Sequence, residues 1–207
     1  MHATPLKFLA PIAVAVALGA PALGMAETIR AHANGYQVVP TQNSSGTASF
    51  RAKVDRQAQT IVYELSWQNL KGDILQSHIH FGRRATNGDI VVFLCTNLGN
   101  TPPSATPAPT CDGPREGKVT GILHAGDIVA LAFAGIQPEQ QLLPFSGFDE
   151  LADAIDAGAA YVVVHTKAQP SGELRGQIPG ENKDRDRDKE NDGDRDPKNE
   201  GKDNDRN

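Results

Sequence analysis

Two histidines stand two residues apart in the run Ser77-His78-Ile79-His80. In an extended strand, residues two apart project to the same face. Both imidazoles therefore point one way while Ile79 points the other. That arrangement presents two nitrogen ligands to Zn or Cu. A third imidazole, His165, closes the run Tyr161 to His165 and shares a face with Tyr161 and Val163. Should the two strands lie side by side, three rings converge. Paired histidines also serve without a metal, hydrogen-bonding a carboxylate, a guanidinium or the backbone to hold strands in register. The segment Glu173 to Gln177 offers such partners. Glu173, Arg175 and Gln177 share one face and Leu174 the other. A structural network of these three with the histidines is the first reading, and a metal site at His78, His80 and His165 is the alternative. No cofactor is required by the first; Zn or Cu belongs to the second. His32 and His124 read as surface residues, and His2 as part of a removed leader.

Other chemistry finds little support. No Gly-x-Ser-x-Gly elbow and no glycine-rich phosphate loop ahead of a helix is present, so no catalytic residue is assigned. Cys95 and Cys111, the two cysteines of the chain, flank TNLGNTPPSATPAPT. In an exported chain an even cysteine count points to a disulfide. A net charge of −5 argues against nucleic acid as a partner, because that needs a basic surface.

The elements that must position these residues follow from alternation. Ala48 to Val54 sets Phe50, Ala52 and Val54 against Ser49, Arg51 and Lys53; Ile61 to Trp67 repeats the pattern after a polar turn. Ile74 to Phe81, Ile90 to Leu94, Lys118 to Leu123, Ala159 to Thr166 and Glu173 to Ile178 read as further strands, and Thr28 to Ala33 as a weaker one. One helix is expected, capped by Ser146, with Asp149 and Glu150 in its first turn and Phe148, Leu151, Ala152 and Ile155 at helical spacing. Gly158 stands where a C-cap glycine belongs. Seven or eight short strands with turn signals between them favour a mostly β fold, a β-sandwich or Greek-key barrel with one short helix.

The ends differ from this middle. Lys7, the apolar run Phe8 to Leu18, Pro21 and the small residues around Gly24-Met25-Ala26 read as a signal peptide over 1–26. No later run is long enough to cross a bilayer. Export to the periplasm or beyond the cell is the expectation. Residues 180–207 are almost wholly charged or polar, a tail expected to be disordered. Within it Asp188, Glu190, Asp192 and Gly193 fall on a calcium-loop pattern, but the closing acid position holds Asn199. A calcium-responsive tail mediating surface association is a third reading. The domain is then 27–179.

The ordered set Ser77-His78-Ile79-His80, Gly88 with Ile90 to Leu94, Ile155-x-x-Gly158-x-x-Tyr161 to Thr166, and Pro170-Ser171-Gly172-Glu173-Leu174-Arg175-Gly176-Gln177 resembles the CHRD domain, named from chordin and found in many bacterial exported proteins. The likeness runs over nearly all of 28–179. Gln37-Val38-Val39-Pro40 stands where the family tends to read Glu-Val-Pro-Pro, and Val163 stands where it often has Asn. The Pro-rich loop between the cysteines looks like an insertion. The resemblance implies an immunoglobulin-like or superoxide-dismutase-like β-sandwich. It brings no established activity. An exported binding or structural module of unknown extracytoplasmic ligand or protein partner is therefore the expected function. A Zn- or Cu-binding protein, redox-active or dismutase-like, is the alternative.

Overall fold

The computed structural model describes residues 26–129 and 147–180. The leader, the Ser146 cap and the charged tail with its calcium-loop pattern lie outside these residues. Among the described residues eight strands make one antiparallel sheet: β1 Glu27–Asn34, β2 Thr47–Asp55, β3 Thr60–Gln68, β4 Ile74–Phe81, β5 Ile90–Thr96, β6 Gly117–His124, β7 Ala160–Thr166 and β8 Leu174–Ile178. Their order across the sheet is β5-β4-β7-β8-β1-β2-β3-β6. All pairs run antiparallel. The sheet curls until its two rims approach. Tyr63 on β3 donates its hydroxyl to the Leu94 carbonyl on β5 at 2.5 Å, and Val129, beyond β6, donates its N–H to Val91 at 2.8 Å. The result is a nearly closed, mostly β, sandwich-like barrel.

The core follows from the alternation. Along β2 and β3, Ala48, Phe50, Ala52, Val54, Ile61, Tyr63, Leu65 and Trp67 are buried, and the residues between them mostly face outward. From the other half Ile79, Val92, Leu94, Val162, Val164 and Leu174 join the same cluster. Apolar area removed from both inner faces is the main stabilising term, about 25 cal/mol per Å². Close approach also selects one glycine here. Gly121 faces Tyr63 in the β3–β6 register, and a Cβ there would lie 2.6 Å from the phenol oxygen.

The helix α1, Phe148–Asp156, buries Phe148, Leu151, Ala152, Ala154 and Ile155 and keeps Asp149 and Glu150 in its first turn, where the helix dipole favours negative charge. Gly147 stands at its N-cap, with no side-chain capping bond. Gly158 takes φ +64° just past its end, the left-handed conformation glycine adopts without strain. Two short 3-10 turns, Gly35–Gln37 and Ala125–Asp127, carry no apolar period and escape a sequence reading. Among the described residues no helix is long and apolar enough to cross a membrane.

Cys95 and Cys111 are joined, both buried, and close a sequence separation of 16. The bridge ties the Pro-rich segment to the β5 rim, beside Asn97, whose side chain accepts from Cys111 N–H and donates to its carbonyl. In the loop-entropy description a bridge of this span restricts the unfolded chain by about 3 kcal/mol. A Cys95→Ala/Cys111→Ala variant is expected to melt roughly 6–12 °C below the parent. Scanning calorimetry checks this, and a change under 2 °C would place the stability of that rim elsewhere.

Candidate metal centre

β4 and β7 are neighbours, and their register sets the site. His78 lies opposite Val163, Gln76 opposite His165 and His80 opposite Tyr161. His78, His80 and His165 thus share one face of two adjacent strands. It is the face turned away from the core: Ile79, Val162 and Val164 belong to the apolar cluster, and the histidines do not. β5 completes the wall with two irregularities, so that Phe93 faces His78 and Ile90 faces His80. Extra residues of this kind bend a strand and re-aim its side chains. The Phe93 ring meets the His78 ring edge-on at 4.3 Å.

The three rings pack together. The His78 ring lies 5.0 Å from that of His165 and 5.6 Å from that of His80, centroid to centroid. One nitrogen from each falls within 4.8 Å of the others. The outer nitrogens are tied down: Nδ1 of His80 is 2.9 Å from the Gly88 carbonyl, and Nδ1 of His165 is 2.9 Å from that of Pro170. A carbonyl only accepts, so each Nδ1 carries the proton and each Nε2 presents a lone pair. Nε2 of His80, Nε2 of His165 and both nitrogens of His78 are buried without a hydrogen-bond partner. His80 is part-exposed as a residue, yet its Nε2 belongs to this buried set.

Electrostatics keep the rings neutral. Burial, reinforced by the neighbouring rings of His165 and His80, holds His78 well below the ordinary histidine range. Burial pushes His80 down to about 3 against the opposing Gly88 bond. His165 is lowered by burial too. Neutral imidazole is the form that ligates metal.

Glu173, Arg175 and Gln177 fall into two separate networks. The fully buried Glu173 carboxylate accepts from Ser44 Oγ at 2.6 Å, Lys71 N–H at 2.7 Å, Thr166 Oγ1 at 2.7 Å and Gly72 N–H at 3.3 Å. These bonds hold its pKa below the usual range against the cost of burial. Among the described residues it bonds neither Arg175 nor a histidine. Arg175 donates through Nη2 to the Arg83 carbonyl at 2.8 Å and to Gln177 Oε1 at 3.1 Å, and its guanidinium carbon sits 3.8 Å over the Tyr161 ring. Gln177 Nε2 donates to the carbonyls of Gly82, Gly158 and Ala160. His32 is exposed, and His124 lies 3.5 Å from Asp127 at the surface. Sequence reasoning missed Ser44, Lys71, Gly72 and Tyr161. The signal for Tyr161 was its place on the His165 face.

Three imidazoles with two N–H groups fixed by backbone carbonyls can hold one cation and leave a coordination position open. A family model, described as the CHRD domain, matches residues 29–178. No curated protein and no solved structure matches the chain. The match spans the sheet from β1 to β8 and includes all three histidines, and the chain belongs to the CHRD domain family.

Proposed function

We propose that the protein is an exported, non-enzymatic binding module that holds Zn or Cu through Nε2 of His80, Nε2 of His165 and one ring nitrogen of His78. The observation that carries this reading is the set of buried, unpartnered ring nitrogens gathered within 4.8 Å. A buried lone pair without a partner costs about 1–3 kcal/mol. A structural network needs donors aimed at these nitrogens, and among the described residues there are none. A cation answers one lone pair from each ring at once and leaves the other His78 nitrogen as the N–H. Ligands of tetrahedral Zn with bonds of 2.0–2.1 Å stand about 3.4 Å apart, so nitrogens already within 4.8 Å of one another would need to close by no more than about 1.4 Å. Export fits the Cys95–Cys111 bridge, since disulfides persist in oxidising compartments. The three rings supply one ion's ligands, which supports binding rather than a two-metal dismutase.

Elemental analysis of chelator-free, untagged protein from an exporting host tests it. About one equivalent of Zn or Cu is expected, and none in His78→Ala/His80→Ala. A folded, disulfide-bonded parent without stoichiometric metal would overturn the reading and leave the rings as packing groups.

A further inference from the structure

The segment 82–89 joins β4 to β5 and runs past the histidine face. Four side chains from the sheet hold its backbone. Gln177 donates to the Gly82 carbonyl at 3.0 Å and Arg175 to that of Arg83 at 2.8 Å. Tyr161 Oη accepts from Gly88 N–H at 2.9 Å and donates to the Gly88 carbonyl at 3.3 Å. That same carbonyl accepts a hydrogen bond from His80 Nδ1–H. Asn87 ties the far side of the segment to the Val39 carbonyl at 3.1 Å.

Tyr161 also touches His80 directly. The two rings stack at 5.1 Å with planes 16° apart. β8 lies on the other side of β7 from β4, and from there Arg175 presses on the Tyr161 ring. One residue thus fixes both the plane of the His80 ring and the carbonyl that decides which nitrogen carries its proton. His165 has no such dependence. Its carbonyl partner, Pro170, sits in a turn closed by Gly172 N–H to the Gln169 carbonyl at 3.0 Å.

We infer that Tyr161 is a positioning residue for the metal centre: through Gly88 it holds His80 as the Nδ1–H tautomer and aims Nε2 at the ion. The inference rests on the metal reading for its consequence, but the tautomer itself is a property of the metal-free protein. Partners that orient a ligating histidine are worth about 10–100-fold in metal affinity. Tyr161→Phe keeps the ring, its stacking and the guanidinium contact, and deletes only the oxygen that grips Gly88.

Two measurements on the full exported chain test this. In metal-free protein, long-range proton–nitrogen NMR of the rings should show His80 purely Nδ1-protonated. In Tyr161→Phe it should be a tautomer mixture, with His165 unchanged. Titration with Zn²⁺ alone should show a 10–100-fold loss of affinity in Tyr161→Phe, shrinking to under about threefold when His80 is already Ala, because the two act through one ring. An unchanged His80 tautomer, or an equal affinity loss with and without His80, would overturn the inference. Should Tyr161→Phe fail to fold, Asn87→Ala loosens the same segment from its exposed side. It should disturb the His80 tautomer alone, and no change there would count against the inference. A parent that binds no Zn²⁺ but shows the tautomer shift would sink the metal reading and leave the positioning intact.

Discussion

Replacing Glu173 by alanine lowers the free energy of unfolding by roughly 3–5 kcal/mol, as much as truncating a large side chain of the core. The carboxylate is wholly buried and accepts four hydrogen bonds, two from main-chain N–H groups and two from hydroxyls. Those donors come from three places far apart in sequence: Ser44 before β2, Lys71 and Gly72 before β4, and Thr166 at the end of β7. Alanine strands all four. The segments cannot readily rearrange to use one another, because packing at Gly72 is tight: a Cβ there would stand 2.5 Å from Ala168 N. Glu173→Gln should recover part of the loss, since its amide oxygen still accepts, while its NH₂ must face a donor. Guanidinium unfolding of parent and both variants checks the order. A loss below about 1 kcal/mol for alanine would mean that water replaces the carboxylate.

Acidification is the second large effect. The three clustered histidines have folded pKa values depressed by burial, His80 to about 3, against about 6.5 for the unfolded chain. Between those values the unfolded state binds more protons than the native one. Stability therefore rises with pH through that window, is fully present above about 6.5, and is lost as pH falls toward the folded values. Each ring contributes up to about 1.4 kcal/mol per pH unit, so His80 alone removes roughly 4–5 kcal/mol by pH 3. Glu173, also depressed, adds a loss of the same sign at the acid end. Asp89, raised by burial, works in the opposite sense but is one group against several. Metal-free protein should show a falling urea midpoint from pH 6.5 downward and unfold near pH 4. A midpoint flat between pH 7 and 5 would mean that the rings are already solvated.

Much of this architecture was readable from the chain. β2 and β3 announce themselves because their inner and outer residues differ sharply in polarity, Phe50 and Leu65 against Arg51 and Glu64. β1 is fainter because its inward row, after Ile29, is Ala31 and Ala33. β5 runs to Thr96, two residues past its readable end, because Cys95 and Thr96 still pair with Ser77 and Gln76 of β4, a partnership no local pattern announces. The helix was placed by its apolar spacing, Phe148, Leu151, Ala152 and Ile155 all being buried. The pairing of His78 with His80 follows from the strand period alone. Their meeting with His165 does not. It depends on β4 lying beside β7, about ninety residues further along the chain, and on a register set by backbone pairing rather than by any local pattern. The same holds for Glu173, whose shared face with Arg175 was legible but whose partners come from loops without periodicity.

The histidines occupy alternate positions on strands whose intervening residues, Ile79, Val162 and Val164, build the apolar interior. Each of these strands therefore answers to two independent demands, one per side. Changes on one side need not disturb the other. On the proposed metal reading, the donor set at His78, His80 and His165 can be varied without replacing any residue of the apolar interior, within the space that the Phe93 ring leaves beside His78. The sheet serves as a mount whose two sides are built from separate sets of residues, an apolar one within and a polar, imidazole-bearing one without.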